Sequence, residues 1–391
     1  MIELNDTQKA LVEAVRDFVE KEVIPIADDL EHKDEYPEQI VEQMKEMGLF
    51  GITVPEEYDG IGESLITYAL CVVELARGWM SLSGVLNTHF MGCYLINKFG
   101  TDEQKKNYLP RMATGEIRAA LAMSEPEAGS DVQAIRTKAI KEGDEYVVNG
   151  QKMWLTNGLR AGIVMTLVKT DPNADPPHSG MSMLIVEKTP GEPKPAAGLD
   201  VGKNIEKMGY KGVETVEMTF SDYRCSTSQL LGTEEGMGFK QVLDGIEVGR
   251  VNVAARAVGV STRAFEEAIK YAQERKAFGK QIADHQAVLH HIAEMGTTLE
   301  AAKLMLYSAA QKKVAGERSD LEAGMAKLFA SEACHEIVTK SLRVHGGYGY
   351  SKEFTVERLY RDAPFLLIGE GTSEIQKNVI GRRLLERYKL T

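Results

Sequence analysis

Cysteine is scarce in this chain. Of 391 residues only Cys71, Cys93, Cys225 and Cys334 are thiols, and no two stand in a CxxC spacing. That excludes a disulfide framework and a structural zinc site, and it fits a reducing compartment. Signal-peptide character is also lacking at the start: "MIELNDTQKALVEAVRDF" reads as an amphipathic acidic helix, without the charged-then-apolar layout of a signal peptide or the Arg/Ser-rich character of a transit peptide. The expectation is a cytoplasmic protein, or an organellar matrix protein whose transit peptide has been removed. No apolar run reaches the length of a membrane span. There is no dense Lys/Arg block, and the net charge is −12, which argues against nucleic acid or an anionic membrane as partner. GxGxxG, GxxxxGKS/T and GxSxG are all absent, so simple nicotinamide, phosphate-loop and nucleophile-elbow readings fall away. His285, His290, His291 and Glu294 cluster, but no matching Glu/His set occurs elsewhere, so no metal site is expected.

What is present is mass and pattern. Hydrophobic residues make up 43% of the chain, enough for two or three domains. From an N-cap at Asp6 or Thr7, the apolar residues Leu11, Val15, Phe18 and Val19 recur at helical spacing until Pro25. Similar periodicity runs through "YPEQIVEQMKEMG" and "ESLITYALCVVELARG" to about Gly115. The middle, roughly Leu121 to Leu231, changes character. "DEYVVNGQKMWLTNG" predicts a hairpin turn at Asn149-Gly150. "IVMTLVKT", "MSMLIVEKT" and "ETVEMTFSDYR" predict strands, the last with Val216, Met218 and Phe220 alternating. From about Gly236 long helices return over Gln241–Gln273, Asp284–Ala315, Ser319–Val344 and Ser373–Tyr388, the last with a stripe of Ile375, Val379, Ile380, Leu384 and Leu385. The predicted fold is α+β: a helical domain over 1–120, a β domain over 121–235 and a C-terminal four-helix bundle over 236–391, whose helices also offer an oligomer interface.

Just before the last helix, "IGEGTSEIQ" sets Glu370 between Gly369 and Gly371. An acid with so little side-chain cover suits proton abstraction beside a carbonyl, because a base without a strong ion pair in a partly dry pocket has a raised proton affinity. Glu374, in the first turn of the following helix, suits the helix dipole instead.

Together, "LAMSEPEAGSDV", "GQKMWLTNG", "ERKAFGKQIADHQ", "HGGYGY" and "RDAPFLLIGEGTSEIQ" resemble the acyl-CoA dehydrogenase family, in order and over essentially the whole chain. The resemblance implies an FAD enzyme that oxidises an acyl-CoA to its trans-2-enoyl-CoA, with Glu370 as catalytic base and its backbone N–H, with a flavin ribityl hydroxyl, holding the thioester oxygen. It implies that Met123, Ser124, Gly129, Ser130, Trp154 and Thr156 meet the flavin from the β domain. Arg275 and Phe278 would reach FAD from a neighbouring subunit, and Gln286, Gly346, Gly347, Thr372 and Glu374 fall at further FAD-contacting positions. Arg343 stands where the family commonly has Gln, and its cofactor contact is part of the same expectation. Some family members carry their base at the position of Gly249; here that alternative is missing.

Substrate contacts are expected from Ser130, Glu247, Arg250, Asn87, His89, Gly369 and Gly371, with Glu247 and Arg250 spaced for an ion pair on one helix. Trp79 and Thr88 belong to the same candidate acyl-pocket segment. Gly369 replaces the Tyr of many straight-chain members, which predicts a wider pocket. Glutaryl-type members have an Arg near Ser81; here Arg77 lies a turn away, so no dicarboxylyl substrate is assigned. The resemblance further implies electron transfer to an electron-transfer flavoprotein, a homotetramer built as a dimer of dimers, and a place in fatty-acid β-oxidation. A same-fold flavin oxidase or monooxygenase, enoyl-CoA reduction, and a non-catalytic assembly partner are the alternatives.

Overall fold

The computed structural model describes residues 4–389. Helix α1 (Asp6–Phe18) starts one residue earlier than the pattern predicts. Asn5 accepts from the Gln8 N–H at 2.8 Å, and the Gln8 side chain accepts from the Asn5 N–H, a reciprocal cap. Pro25 does not end the helical path. A wide turn over Val19–Val23 leads straight into α2 (Ile24–Lys33), where Pro25 occupies the first turn and its missing N–H costs nothing. Gly78 makes this turn possible, since a Cβ there would stand 2.6 Å from Val19 Cγ1.

Helices α3 (Glu38–Glu46), α4 (Leu65–Gly78), α5 (Met80–Phe99) and α6 (Asp102–Ala113) complete the N-terminal part. Ser64 caps α4, and Thr101 with Gln104 caps α6. Helix α5 is buried along almost its whole length, so it runs through the interior with apolar residues on every side.

The middle strands are β1 (Ala119–Ala122), β2 (Lys138–Glu142), β3 (Glu145–Thr156), β4 (Ile163–Lys169), β5 (Met181–Glu187), β6 (Leu199–Val201) and β7 (Thr215–Ser226). They form one seven-stranded sheet in the order β1-β4-β2-β3-β7-β6, with β5 also paired to β4. Asn149-Gly150 is a bulge inside β3 and not a hairpin turn. The Asn149 side chain exchanges two hydrogen bonds with Asp222 on β7, at 3.0 and 2.9 Å, and a Cβ on Gly150 would meet Thr137 Oγ1 at 2.5 Å. The tight turn falls earlier, at Gly143-Asp144, where Gly143 has φ +64°.

Strands β4 and β5 are buried on both faces and explain how the layers join. Ile163, Met165 and Leu167 pack into the same core as the helices, while Val164 and Val168 point into a second, smaller core with Val216, Met218 and Phe220. This is the period-two alternation of a strand facing apolar neighbours twice.

The C-terminal part holds α7 (Gly238–Glu274), a two-residue hairpin of β8 (Lys276–Ala277) and β9 (Lys280–Gln281), α8 (Gln286–Val314), α9 (Asp320–His345), α10 (Val356–Ile368) and α11 (Ser373–Arg387). Helix α10, with Pro364 inside it, is absent from the sequence reading, which expects four helices here. Leu385 of the predicted apolar stripe is 76% exposed, whereas Ile380 is buried. No helix among the described residues is long and apolar enough to cross a membrane.

Candidate active site

The loop between α10 and α11 is shaped by its flanks. Gly369 ends α10 by donating to Phe365 O at 2.8 Å, and Thr372 caps α11 by accepting from the Ile375 N–H at 3.3 Å. Between them Glu370 adopts φ +56° and Gly371 φ +94°. A glutamate in the left-handed region is strained by about 1–3 kcal/mol. The buried Lys327 of α9 holds it there, donating from Nζ to Gly371 O at 2.8 Å and Leu367 O at 3.4 Å. Gln376 donates to Glu370 O and Gly371 O, both at 3.3 Å. Burial pushes the Lys327 ammonium down to about 8.

The carboxylate itself is thinly partnered. Asn87 Nδ2 donates to Glu370 Oε1, Arg256 Nη2 stands 4.0 Å from the same oxygen, and Oε2 is buried without a partner. Burial raises its proton affinity above that of an ordinary glutamate, opposed in turn by Arg256, Asn87, Lys327 and Arg250. Gly249 of α7 makes the space: any Cβ there would overlap Glu370 Oε2 and lie 3.1 Å from Met91 Sδ. No acceptor among the described residues takes the Glu370 N–H. The site therefore offers a carboxylate short of hydrogen bonds beside an unclaimed backbone donor.

Behind Glu370 lies a polar cluster that the sequence reading does not contain. Arg256, 1% exposed, donates from Nε to Asn252 Oδ1 at 2.6 Å and from Nη1 to Tyr210 OH at 3.1 Å. Asn252 donates to Tyr68 OH at 2.7 Å. Tyr210, at φ +57°, stacks on Phe365 at 4.6 Å, and its N–H donates to Asp362 Oδ1 at 2.6 Å. A Cβ at Gly369 would meet the Phe365 ring at 2.8 Å. The room expected beside Gly369 is thus filled on that side by Phe365.

Several expected substrate contacts are engaged elsewhere. Glu247 accepts from Lys313 at 3.1 Å and Ser319 at 2.6 Å and makes no ion pair with Arg250, whose buried Nε has no partner. His89 is taken at both nitrogens: Nε2 lies 3.1 Å from Phe50 O, and Nδ1 accepts from the Ala119 N–H at 3.3 Å. It is a structural histidine, not a contact for a polar acyl tail. Trp79 donates to Glu31 at 2.8 Å, Ser81 accepts from Gly212 N at 3.1 Å, and Arg77 is bound by Glu20, Glu74 and Glu266.

Burial holds the His89 imidazole down at about 4, below its ordinary 6.5. The unfolded chain then binds the extra proton as pH falls from 6.5 to 4, so stability drops over that window by about 3 kcal/mol and is unaffected above it. Denaturant melts of His89→Gln across this range are expected to show a shallower acid loss than the parent.

On the β side, Lys152, fully buried and lowered to about 8 by that burial, bonds Met123 O at 3.1 Å and Glu125 Oε1 at 2.8 Å. Glu125 in turn accepts from the N–H groups of Arg136 and Thr137 at 2.6 and 2.9 Å. This clamp fixes the loop that exposes Gly129 and Ser130 and presents half-buried Ser124. Trp154, at φ +65°, is 57% exposed, beside half-buried Thr156. Asn157 joins this wall to α5, donating to Gly84 O, Val85 O and Thr88 Oγ1 at 3.3, 3.0 and 2.7 Å.

A separate groove is lined by Tyr271, Arg275, His345, Gly346, Gly347 and Tyr348. Arg275 lies over the Tyr348 ring at 5.6 Å, and neither Arg275 nor exposed Arg343 has a carboxylate partner among the described residues. A Cβ on Gly346 or Gly347 would meet nothing within 4 Å. Phe278, at the hairpin tip with φ +53°, is 94% exposed, and Gln286 and Glu374 are also exposed. The unpaired Arg275 guanidinium beside bare backbone suits a diphosphate, Arg343 is not among the groove's lining residues, and an exposed Trp suits a planar ring.

Three family models match in sequence: the acyl-CoA dehydrogenase N-terminal domain over 5–116, its middle domain over 120–223 and its C-terminal domain over 236–385. The chain therefore belongs to the acyl-CoA dehydrogenase family, whose members are flavoprotein oxidoreductases. It is 38% identical to (2S)-methylsuccinyl-CoA dehydrogenase of Cereibacter sphaeroides, over 98% of this chain and 70% of that one. It is 39% identical to the caffeyl-CoA reductase-Etf complex subunit CarC of Acetobacterium woodii, over 98% and 99%. The solved butyryl-CoA dehydrogenase of Megasphaera elsdenii superposes with a TM-score of 0.94 at 33% identity, covering 98% of this chain and all of that one.

Proposed function

We propose that this chain is an FAD-dependent acyl-CoA dehydrogenase forming a trans-2-enoyl-CoA, with Glu370 as the base. The observation that carries the reading is the half-buried Glu370 carboxylate, partnered at one oxygen only and with its buried Oε2 facing the space cleared by Gly249. Glu370 takes the α-proton, and its N–H donates to the thioester oxygen, where negative charge builds as the proton leaves. The FAD, when bound, supplies the acceptor for the β-hydrogen as hydride.

Met123, Ser124, Gly129, Ser130, Trp154 and Thr156 would hold the ring end, and Arg275, Phe278, Gln286, Arg343, Gly346, Gly347, Thr372 and Glu374 the rest. Ser130, Arg250, Asn87, Gly369 and Gly371 would line the thioester path. Exposed Phe278, Leu289, Leu304 and Tyr350 support a homotetramer in which subunits share the FAD site. A relative named as part of an Etf complex supports an electron-transfer flavoprotein as acceptor. Because that relative is named a reductase, enoyl-CoA reduction on the same residues is the second reading.

The test is anaerobic titration of flavin-loaded protein with straight, branched, cyclic and carboxylated acyl-CoA thioesters. Loss of oxidised-flavin absorbance with one class is expected. If no acyl-CoA bleaches the flavin but an enoyl-CoA reoxidises the chemically reduced protein, the dehydrogenase direction is wrong. No response to either series overturns the chemistry.

A further inference from the structure

We propose that Arg256 recognises the carboxylate of a short acyl chain whose acid group lies one or two bonds beyond the β-carbon, making a dicarboxylic monothioester the substrate. This rests on Glu370 being the base.

Arg256 sits on α7 in the run "VNVAARAVGV", where every other residue from Val253 to Val260 is small or apolar. Its guanidinium is almost wholly out of water, and a charge so placed needs a counter-charge. Its hydrogen bonds go to neutral acceptors, the amide oxygen of Asn252 and the hydroxyl of Tyr210. The one carboxylate within ion-pair distance, among the described residues, is Glu370 at 4.0 Å, beyond hydrogen-bond reach. Nη2 therefore keeps donor capacity. Asn87 Oδ1 and Glu370 Oε2 are also buried and unpartnered. Both of those atoms are acceptors, so the free Nη2 donor is the one group here that an incoming carboxylate would satisfy.

Charge through the reaction sharpens the choice. When Glu370 accepts the α-proton it becomes neutral, and Arg256 loses its one nearby anion. A hydrocarbon tail would leave that buried cation bare in the transition state. A tail carboxylate pairs with it before and after proton transfer, and its negative charge also makes Glu370 a stronger base. The distance limits the length. With Nη2 only 4.0 Å from the base oxygen, the acid group must follow closely on the reacting carbons, and stacked Tyr210 and Phe365 wall this end. Asn87 already donates to Glu370 Oε1 and keeps only an acceptor oxygen, so Arg256 alone supplies the donor, while Arg77 is closed off by its three carboxylates.

Steady-state kcat/KM with succinyl- and glutaryl-CoA is compared with pentanoyl- and hexanoyl-CoA for the parent holoenzyme, Arg256→Met and Arg256→Lys. The parent is expected to favour the carboxylated series by about 100-fold or more. Arg256→Met should lower that ratio by about 100-fold, and Arg256→Lys should keep a reduced preference of the same sign. Flavin content and Tm report whether each variant folds. A parent that prefers the alkyl thioesters, or an Arg256→Met variant that loses both series equally, overturns the proposal while leaving Glu370 chemistry intact. Should Arg256→Met fail to fold, the parent and Arg256→Lys ratios decide. Absence of turnover with both series overturns this proposal, and the branched and cyclic thioesters of the flavin titration then decide separately whether the dehydrogenase reading stands.

Discussion

Replacing Glu370 by Gln is expected to slow substrate-dependent flavin bleaching by about 10²–10⁴-fold without lowering thermal stability. Stopped-flow absorbance and a melting curve on the same preparation check both halves. The stability half follows from linkage. Burial raises the folded carboxyl above its ordinary 4.5, so the folded state binds more protons than the unfolded between those two values. Stability therefore falls as pH rises through that window, and the full penalty persists above it. Glutamine keeps the shape and lacks the charge, so at neutral pH the variant should melt no lower than its parent. A base must also be ionised to act, so the acid limb of kcat/KM should lie above 4.5. A variant bleaching at the parental rate would remove Glu370 from the reaction.

Gly249→Ala is expected to cost about 100-fold in kcat/KM, though alanine is the better helix former by about 0.5–1 kcal/mol. The added methyl would overlap Glu370 Oε2 and crowd Met91 Sδ, so the carboxylate must leave its position. Loss of activity with equal or higher Tm would separate displacement of the base from general damage; undiminished kcat/KM would show that the base sits elsewhere in the working enzyme. The geometry also accounts for family members with a base at this position: a side chain starting from 249 points at the spot where the Glu370 carboxylate lies.

What could be read from sequence was what local pattern encodes. Glu370 is legible because two glycines and a helix cap surround it, and the long helices because their apolar residues keep a 3.6-residue period. Helix α10 was hidden by Pro364 and by the glycines after it, which read as loop. Asn149-Gly150 misleads because the dipeptide fits a turn and a bulge equally, and the partner Asp222 lies far along the chain. Arg256 escaped because its meaning is purely tertiary. The signal was there, a lone Arg with Asn252 four residues earlier in an apolar helix, but only folding shows that the pair faces the base. Lys327 and Asn157 were missed for the same reason: each acts on backbone carbonyls, and a carbonyl has no letter in the sequence.

The core that runs without a break from Val15 through Met165 and Ile185 to Val258 and Leu366 bears on how the chain comes apart. Segments that share one apolar interior have no seam along which to melt separately. Excising the middle segment would bare the Met165 and Ile185 face of β4 and β5 to solvent, and the helices would lose the floor they rest on. The three matched segments are therefore expected to unfold in one transition, with the smaller core of the middle segment going with the shared one.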